Sequence, residues 1–394
     1  MNPPLRLGLE VAVAEPPEVM RSCRAFGLLS NQASVDATFR HAADVLHERF
    51  PRQLAALFGP QHGLWSTEQD NMIETGHARH PRLGLPVHSL YSETREPTAA
   101  MLQGLDLFVV DLQDVGTRVY TYAWTLLHCL RACAAAGIPV LVLDRPNPLG
   151  GVRAEGPLLD LAQRSFVGLA PIPMRHGLTL GELARFCNER LAIGAELHVV
   201  PMQGWSRAQL WPDSGRAWVP PSPNLPRFEG ALVYPGQVLL EGTRLSEGRG
   251  TTTPFEQFGA PFVDPFALID AVRGRGIDGA VLRVVHFEPT FQKHAGKACG
   301  GLFVHVTEPA VFDSYRTTVT VLRALRELWP DDFEWLPPPY EYETRQQPID
   351  ILSGGTVLRS FVDGERPWAD LDAVTMTPGS WRTEVEPMLL YGVV

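Results

Sequence analysis

Short apolar runs separated by polar turns recur through the first half of the chain. Residues 105–110 form a short apolar run without polar alternation and carry β-branched side chains, the pattern of a parallel strand buried on both faces. Residues 25–29, 54–58, 87–91, 139–143 and 197–200 read in the same way. Between them lie helical stretches at 41–49 and 99–103, and an alanine- and leucine-rich run from 122 to 136 that stops at Gly137. Thr179 and Glu182 have capping-box spacing, so a helix starts there and Glu182 is expected to cap it. This alternation suits βαβ units and predicts an α/β fold on a mostly parallel sheet.

Each apolar run ends abruptly in polar chemistry, where an open parallel sheet presents its strand ends to a ligand. The first ends in Ser30, Asn31 and Gln32, and the second in the turn Gly59-Pro60-Gln61-His62-Gly63. The run at 105–110 leads into Asp111, Gln113, Asp114, Thr117, Arg118, Tyr120 and Tyr122, and the next into Asp144 and Arg145. Residues 66–97 are polar and histidine-rich; the His77/His80 spacing suits zinc only with a third ligand on a rigid element, so a flexible loop is expected. No G-x-G-x-x-G or G-K-[ST] fingerprint follows any strand, which argues against a dinucleotide.

The four prolines of PPSPNLP (220–226) mark a rigid connection and place a domain boundary, giving domains 1–228 and 229–394. Beyond it, 239–256 combines three glycines with Glu241, Arg244, Glu247 and Arg249 and reads as a ligand loop. Strands are expected at 281–287 and 302–306 and an amphipathic helix at 315–328, with 333–342 at the surface.

Composition narrows the function. The 394 residues are 45% hydrophobic and 20% charged with a net charge of −10, and no Lys/Arg cluster offers a nucleic-acid face. The N-terminal stretch lacks a basic region followed by a long apolar core, so no signal peptide or membrane span is read and a cytoplasmic setting is expected. Five scattered cysteines suggest no disulfide framework.

The strings LLSNQASVD, LFGPQHG, DLQDVGTRVYTY, LDRPNPLGG, PIPMRHGLTLGELA, VPPSPNLP and LLEGTRLSEGRGTTTPFEQFGAP closely resemble the exo-β-N-acetylmuramidase (NamZ-type) family, also known as the DUF1343 domain. The resemblance implies a Rossmann-like N-terminal domain, a smaller C-terminal α/β domain and a cleft between them. It also implies release of N-acetylmuramic acid from the non-reducing ends of peptidoglycan fragments. The expected partner is therefore a small soluble carbohydrate, with no nucleic acid and no cofactor or metal, and no oligomeric state follows. In the family the strand-end turn usually reads G-P-E-H-G, its glutamate being the leading catalytic carboxyl; here that position is Gln61. An amide cannot act as general acid or base, so another carboxylate serves or the activity is lost or altered.

Glycoside hydrolysis calls for two carboxyl groups, or one acid assisting a 2-acetamido group. Gln61, His62, Asp114 and Glu247 are the catalytic candidates. Glu247 and Asp114 rank first among carboxylates, each being equally half of an ion pair with a nearby arginine. Asn31, Asp111, Arg118, Tyr120, Arg145, Arg175, His176, Glu241 and Arg249 are the substrate-binding candidates. Arg118, Arg175 and Arg249 can each read the lactyl carboxylate of muramic acid through a bidentate fork. Tyr120 and Tyr122 suit either a sugar face or the core. The absence of G-x-S-x-G weighs against an esterase.

Overall fold

The apolar runs of the first half become the strands of one sheet. A computed structural model describes residues 4–69 and 73–392. In chain order the strands are β1 (Phe26–Ser30), β2 (Leu54–Gly59), β3 (Ala78–Arg79), β4 (Pro86–Ser89), β5 (Leu107–Asp111), β6 (Val140–Leu143) and β7 (Leu197–Val200). Across the sheet they run β3-β4-β2-β1-β5-β6-β7, and all pairings are parallel except that of the β3 edge strand. That edge strand lies within the stretch expected to be a flexible loop, where the His80 N–H donates to the Leu85 carbonyl (2.9 Å) and closes a tight turn.

Alternation along β5 shows why Leu107 to Val110 are all apolar. Phe108 and Val110 pack with the helix Tyr122–Ala136, while Leu107 and Val109 pack on the opposite face with the helices Gly8–Ala14 and Ala42–Arg49. The strand order reverses between β1 and β5, and their register sets Ser30 level with Asp111. The polar strand ends therefore converge at a switch point of the sheet.

A second, smaller sheet carries β8 (Gln257–Ala260), β9 (Ala280–Phe287) and β10 (Cys299–Val306), antiparallel in the order β8-β10-β9. The helix Pro265–Val272 packs beside it, Ser314–Leu328 packs on Pro265–Val272, and Phe228–Gln237 lies along Ser314–Leu328. The chain is thus a two-domain α/β protein. The C-terminal segment returns to the first domain: Trp381 Nε1 donates to the His176 carbonyl (3.2 Å), the Leu390 N–H to Glu182 (2.9 Å), and Tyr391 Oη to Asp144 (2.6 Å). Glu182 forms its capping box with Thr179 and also takes a buried ion pair from Arg207 (2.7 Å). Among the described residues no helix is long and apolar enough to cross a membrane.

Candidate active site

Between the two domains lies a cavity of about 30 Å³, with room for roughly two waters. Its first wall is the turn after β2. His62 and Gly63 both adopt positive φ (69° and 76°), which reverses the chain and turns Gln61 and His62 to the cavity. The Thr121 hydroxyl donates to Gln61 Oε1 (2.6 Å), so the amide's NH2 end points the other way, to Tyr91 Oη (3.1 Å) and Glu341 Oε1 (3.4 Å). Tyr91 Oη in turn donates to Glu341 Oε2 (2.8 Å). His62 Nδ1 faces the Glu68 carbonyl at 2.7 Å and must donate to it, which leaves Nε2 as an acceptor when the ring is neutral. Burial, aided by the Arg249 charge, lowers His62 to about 4, so the ring is neutral near pH 7.

Glu341 enters this wall from the second domain. It is 4% exposed, and both it and Tyr342 hold positive φ (44° and 68°), a strained path that delivers the carboxyl to the cavity. Burial pushes it up to about 7; the hydrogen bonds from Tyr91 and Gln61 oppose that rise, and the charge of Glu241 adds to it.

Glu241 is the second carboxyl at the cavity wall and its surroundings are the reverse. Arg249 Nη2 donates to its Oε1 (2.7 Å) and Tyr340 Oη to its Oε2 (2.6 Å). The other arm of Arg249 reaches Glu247 (2.8 Å), whose second oxygen takes Lys293 Nζ (2.9 Å). Burial opposes the ionisation of Glu247, but the Lys293 ammonium and the Arg249 guanidinium overcome it and hold the group at about 2. The stretch read as a ligand loop is a buried chain of ion pairs that brings Glu241 and Arg249 to the cavity, with Gly248 and Gly250 at positive φ (80° and 81°) packed against neighbouring backbone. Its density of charge is explained by mutual pairing, Arg249 lying between Glu241 and Glu247, and Glu247 between Arg249 and Lys293.

Of the residues singled out in the sequence, Gln61, His62, Tyr120, Glu241 and Arg249 line this cavity. Tyr122 does too, its ring 4.6 Å from that of Tyr120 and its hydroxyl donating to the Pro221 carbonyl (2.8 Å). The remaining candidates lie outside the lining and have internal partners. Asn31 ties the end of β1 to Gln113 and to Pro221 through its Nδ2 (3.4 Å each). Asp111 and Arg145 form a buried two-point pair (2.5 and 2.8 Å). Asp114 Oδ2 accepts from the Gly116 N–H (2.7 Å) and faces His176 Nε2 at 3.8 Å. Arg118 is fully buried and spends its guanidinium on the carbonyls of Pro157, Ile172 and Leu352 (2.8–3.1 Å). Arg175 pairs with Glu155 (2.5 Å). Of the three arginines considered for the lactyl carboxylate, only Arg249 stands at the cavity.

Glu341 escaped the sequence reading, as did Tyr91, Thr121, Tyr234 and Tyr340. Residues 333–342 were expected at the surface, yet Tyr340 and Glu341 are buried. The available signal was a carboxylate between two tyrosines, Tyr340-Glu341-Tyr342, in a proline-stiffened stretch. Among the described residues no group of three His, Cys, Asp or Glu is arranged to hold a metal; His77 pairs instead with Glu93 (2.8 Å).

Models of the exo-β-N-acetylmuramidase NamZ match the chain in two parts, the N-terminal model at residues 26–229 and the C-terminal model at 232–391. The chain belongs to the NamZ family. It is 41% identical over 335 residues to the peptidoglycan β-N-acetylmuramidase NamZ of Bacillus subtilis strain 168, covering 85% of this chain and 80% of that protein. Crystal structures of two DUF1343 family proteins from Bacteroides fragilis NCTC 9343 share the architecture. One has a TM-score of 0.86 at 30% identity, covering 98% of this chain and 99% of the other. The second has a TM-score of 0.73 at 27% identity, covering 99% of each. The cavity of this NamZ-family chain lies where the two matched parts meet, Gln61, His62 and Tyr120 coming from the first and Tyr234, Glu241, Arg249 and Glu341 from the second.

Proposed function

We infer that the chain is an exo-acting β-N-acetylmuramidase that releases N-acetylmuramic acid from the non-reducing end of small peptidoglycan fragments. The family match and the 41%-identical Bacillus subtilis relative support the reaction class. The observation that carries the reading is the meeting of the two NamZ-matched parts at one cavity, where Gln61 and His62 from the first face Glu241, Arg249 and Glu341 from the second. Its walls suit a sugar. Tyr120, Tyr122, Tyr234 and Phe255 provide apolar ring faces, while Gln61, His62, Thr121 and Asn224 supply donors and acceptors for hydroxyl and acetamido groups. The reading keeps a cytoplasmic setting for the reaction.

The presence of Gln61 favours a second reading, a carbohydrate-binding protein that has lost turnover. The two are separated by assaying free N-acetylmuramic acid released from the disaccharide N-acetylmuramyl-N-acetylglucosamine, on the native chain and on Gln61→Glu. Turnover by the native chain is the expected result. Silence from the native chain with activity in the variant would establish the binding reading, and silence from both would end the muramidase assignment.

A further inference from the structure

We propose that Glu341, carried into the cavity on a strained loop of the second domain and held by Tyr91 and Gln61, is the proton donor to the leaving sugar. This deepens the muramidase reading and rests on it.

Among the described residues the cavity wall carries two carboxyl groups, and their environments differ in the way acid and base roles require. Glu241 is ion-paired to the Arg249 guanidinium and accepts from the Tyr340 phenol. Among the described residues Glu341 has no ion pair, and it is met by the neutral Tyr91 hydroxyl and the neutral Gln61 amide. Groups facing it from the packed elements are Tyr91 and Arg95 from the segment after β4, Glu241 from the turn Val238–Gly242, and Tyr340 and Tyr342 from its own loop. The Arg95 guanidinium is stacked between the Tyr91 and Tyr342 rings (4.3 Å to each centroid), and its charge acts on Glu341 more weakly than burial does. Burial then keeps a proton on Glu341 up to about pH 7.

Gln61 fits this role. An acid at position 61 would set two carboxyl groups against each other at the 3.4 Å now spanned by amide and carboxyl, and the pair would share one proton. The amide removes that competition and donates to Glu341 instead. In the reaction the bond from C1 to the glycosidic oxygen breaks and its electron pair leaves on oxygen, which takes the Glu341 proton. Water places its hydroxyl on C1, and its second proton restores the Glu341 carboxyl.

The test compares the disaccharide with 4-nitrophenyl β-N-acetylmuramide, whose nitrophenolate departs without a proton. Glu341→Gln should lower kcat/KM on the disaccharide by about 100-fold or more, while kcat/KM on the aryl glycoside falls less than about tenfold. Equal losses on both substrates in a variant with native thermal stability, or no loss on the disaccharide, would overturn the proposal. A second measurement uses the native chain alone. Turnover of the disaccharide should fall as pH rises through about 7 while that of the aryl glycoside persists; a shared alkaline limb, or none, would also overturn it. A native chain silent on both substrates would remove the muramidase reading and this one with it, whereas an active native chain indifferent to Glu341→Gln would remove this one alone.

Discussion

At the scale of single residues, the cavity holds Glu341 in a state that folding makes costly. Its carboxyl moves from the usual 4.5 up to about 7, so the folded chain keeps a proton that the unfolded chain has already lost. Stability is therefore complete below about pH 4.5 and declines as pH rises through 7, by roughly 3 kcal/mol at most. Glu341→Gln should accordingly raise the Tm relative to the native chain at pH 8 and leave it unchanged at pH 4; an equal shift at both pH values would contradict this. The strand-end pair Asp111–Arg145 is a contrasting case. Both side chains are almost fully buried and each satisfies the other, so Arg145→Met strands a carboxylate and should cost about 3–5 kcal/mol in chemical denaturation. Sequence alone could nominate Asp111 and Arg145 as polar residues at strand ends. Mutual pairing, which takes both away from the cavity, depends on β5 and β6 lying side by side.

Among the elements, those with a strong period were legible and those made by close approach were not. The strands β1, β2, β5 and β6 fall within two residues of the runs expected for them, and Gly137 caps its helix in the left-handed region at φ 65°. The helix Phe228–Gln237 was missed because Gly230, Pro235 and Gly236 disguise it. Gly236 is needed there for contact: a Cβ would lie 1.9 Å from the Ser314 carbonyl oxygen and 2.5 Å from Thr318 Oγ1. Gly236→Ala should thus force Phe228–Gln237 away from Ser314–Leu328 and cost about 1–3 kcal/mol or more, read as a lower denaturation midpoint at unchanged slope. An alanine tolerated without loss would mean that the two helices are not held so closely in solution.

For the whole molecule, two sheets do not make two independent bodies. One continuous apolar cluster runs from Leu29 and Phe108 in the first domain through Val233 and Leu239 to Leu322 and Phe361 in the second. Arg118 donates across to the Leu352 carbonyl (2.8 Å), and Glu155 accepts from the Ser314 N–H that opens the long helix (2.9 Å). Calorimetry should therefore show a single unfolding transition whose van't Hoff and calorimetric enthalpies agree; two resolved peaks would show that the domains unfold separately. The sequence by itself determined the parallel sheet, its polar carboxyl edge and the turn presenting Gln61 and His62, because alternation, glycine and proline act over a few neighbouring positions. Tertiary structure decided which polar residues became partners of one another and which reached the cavity. Glu341 lies 280 positions from Gln61 in the chain yet touches it, and its protonation follows from the burial that this meeting creates.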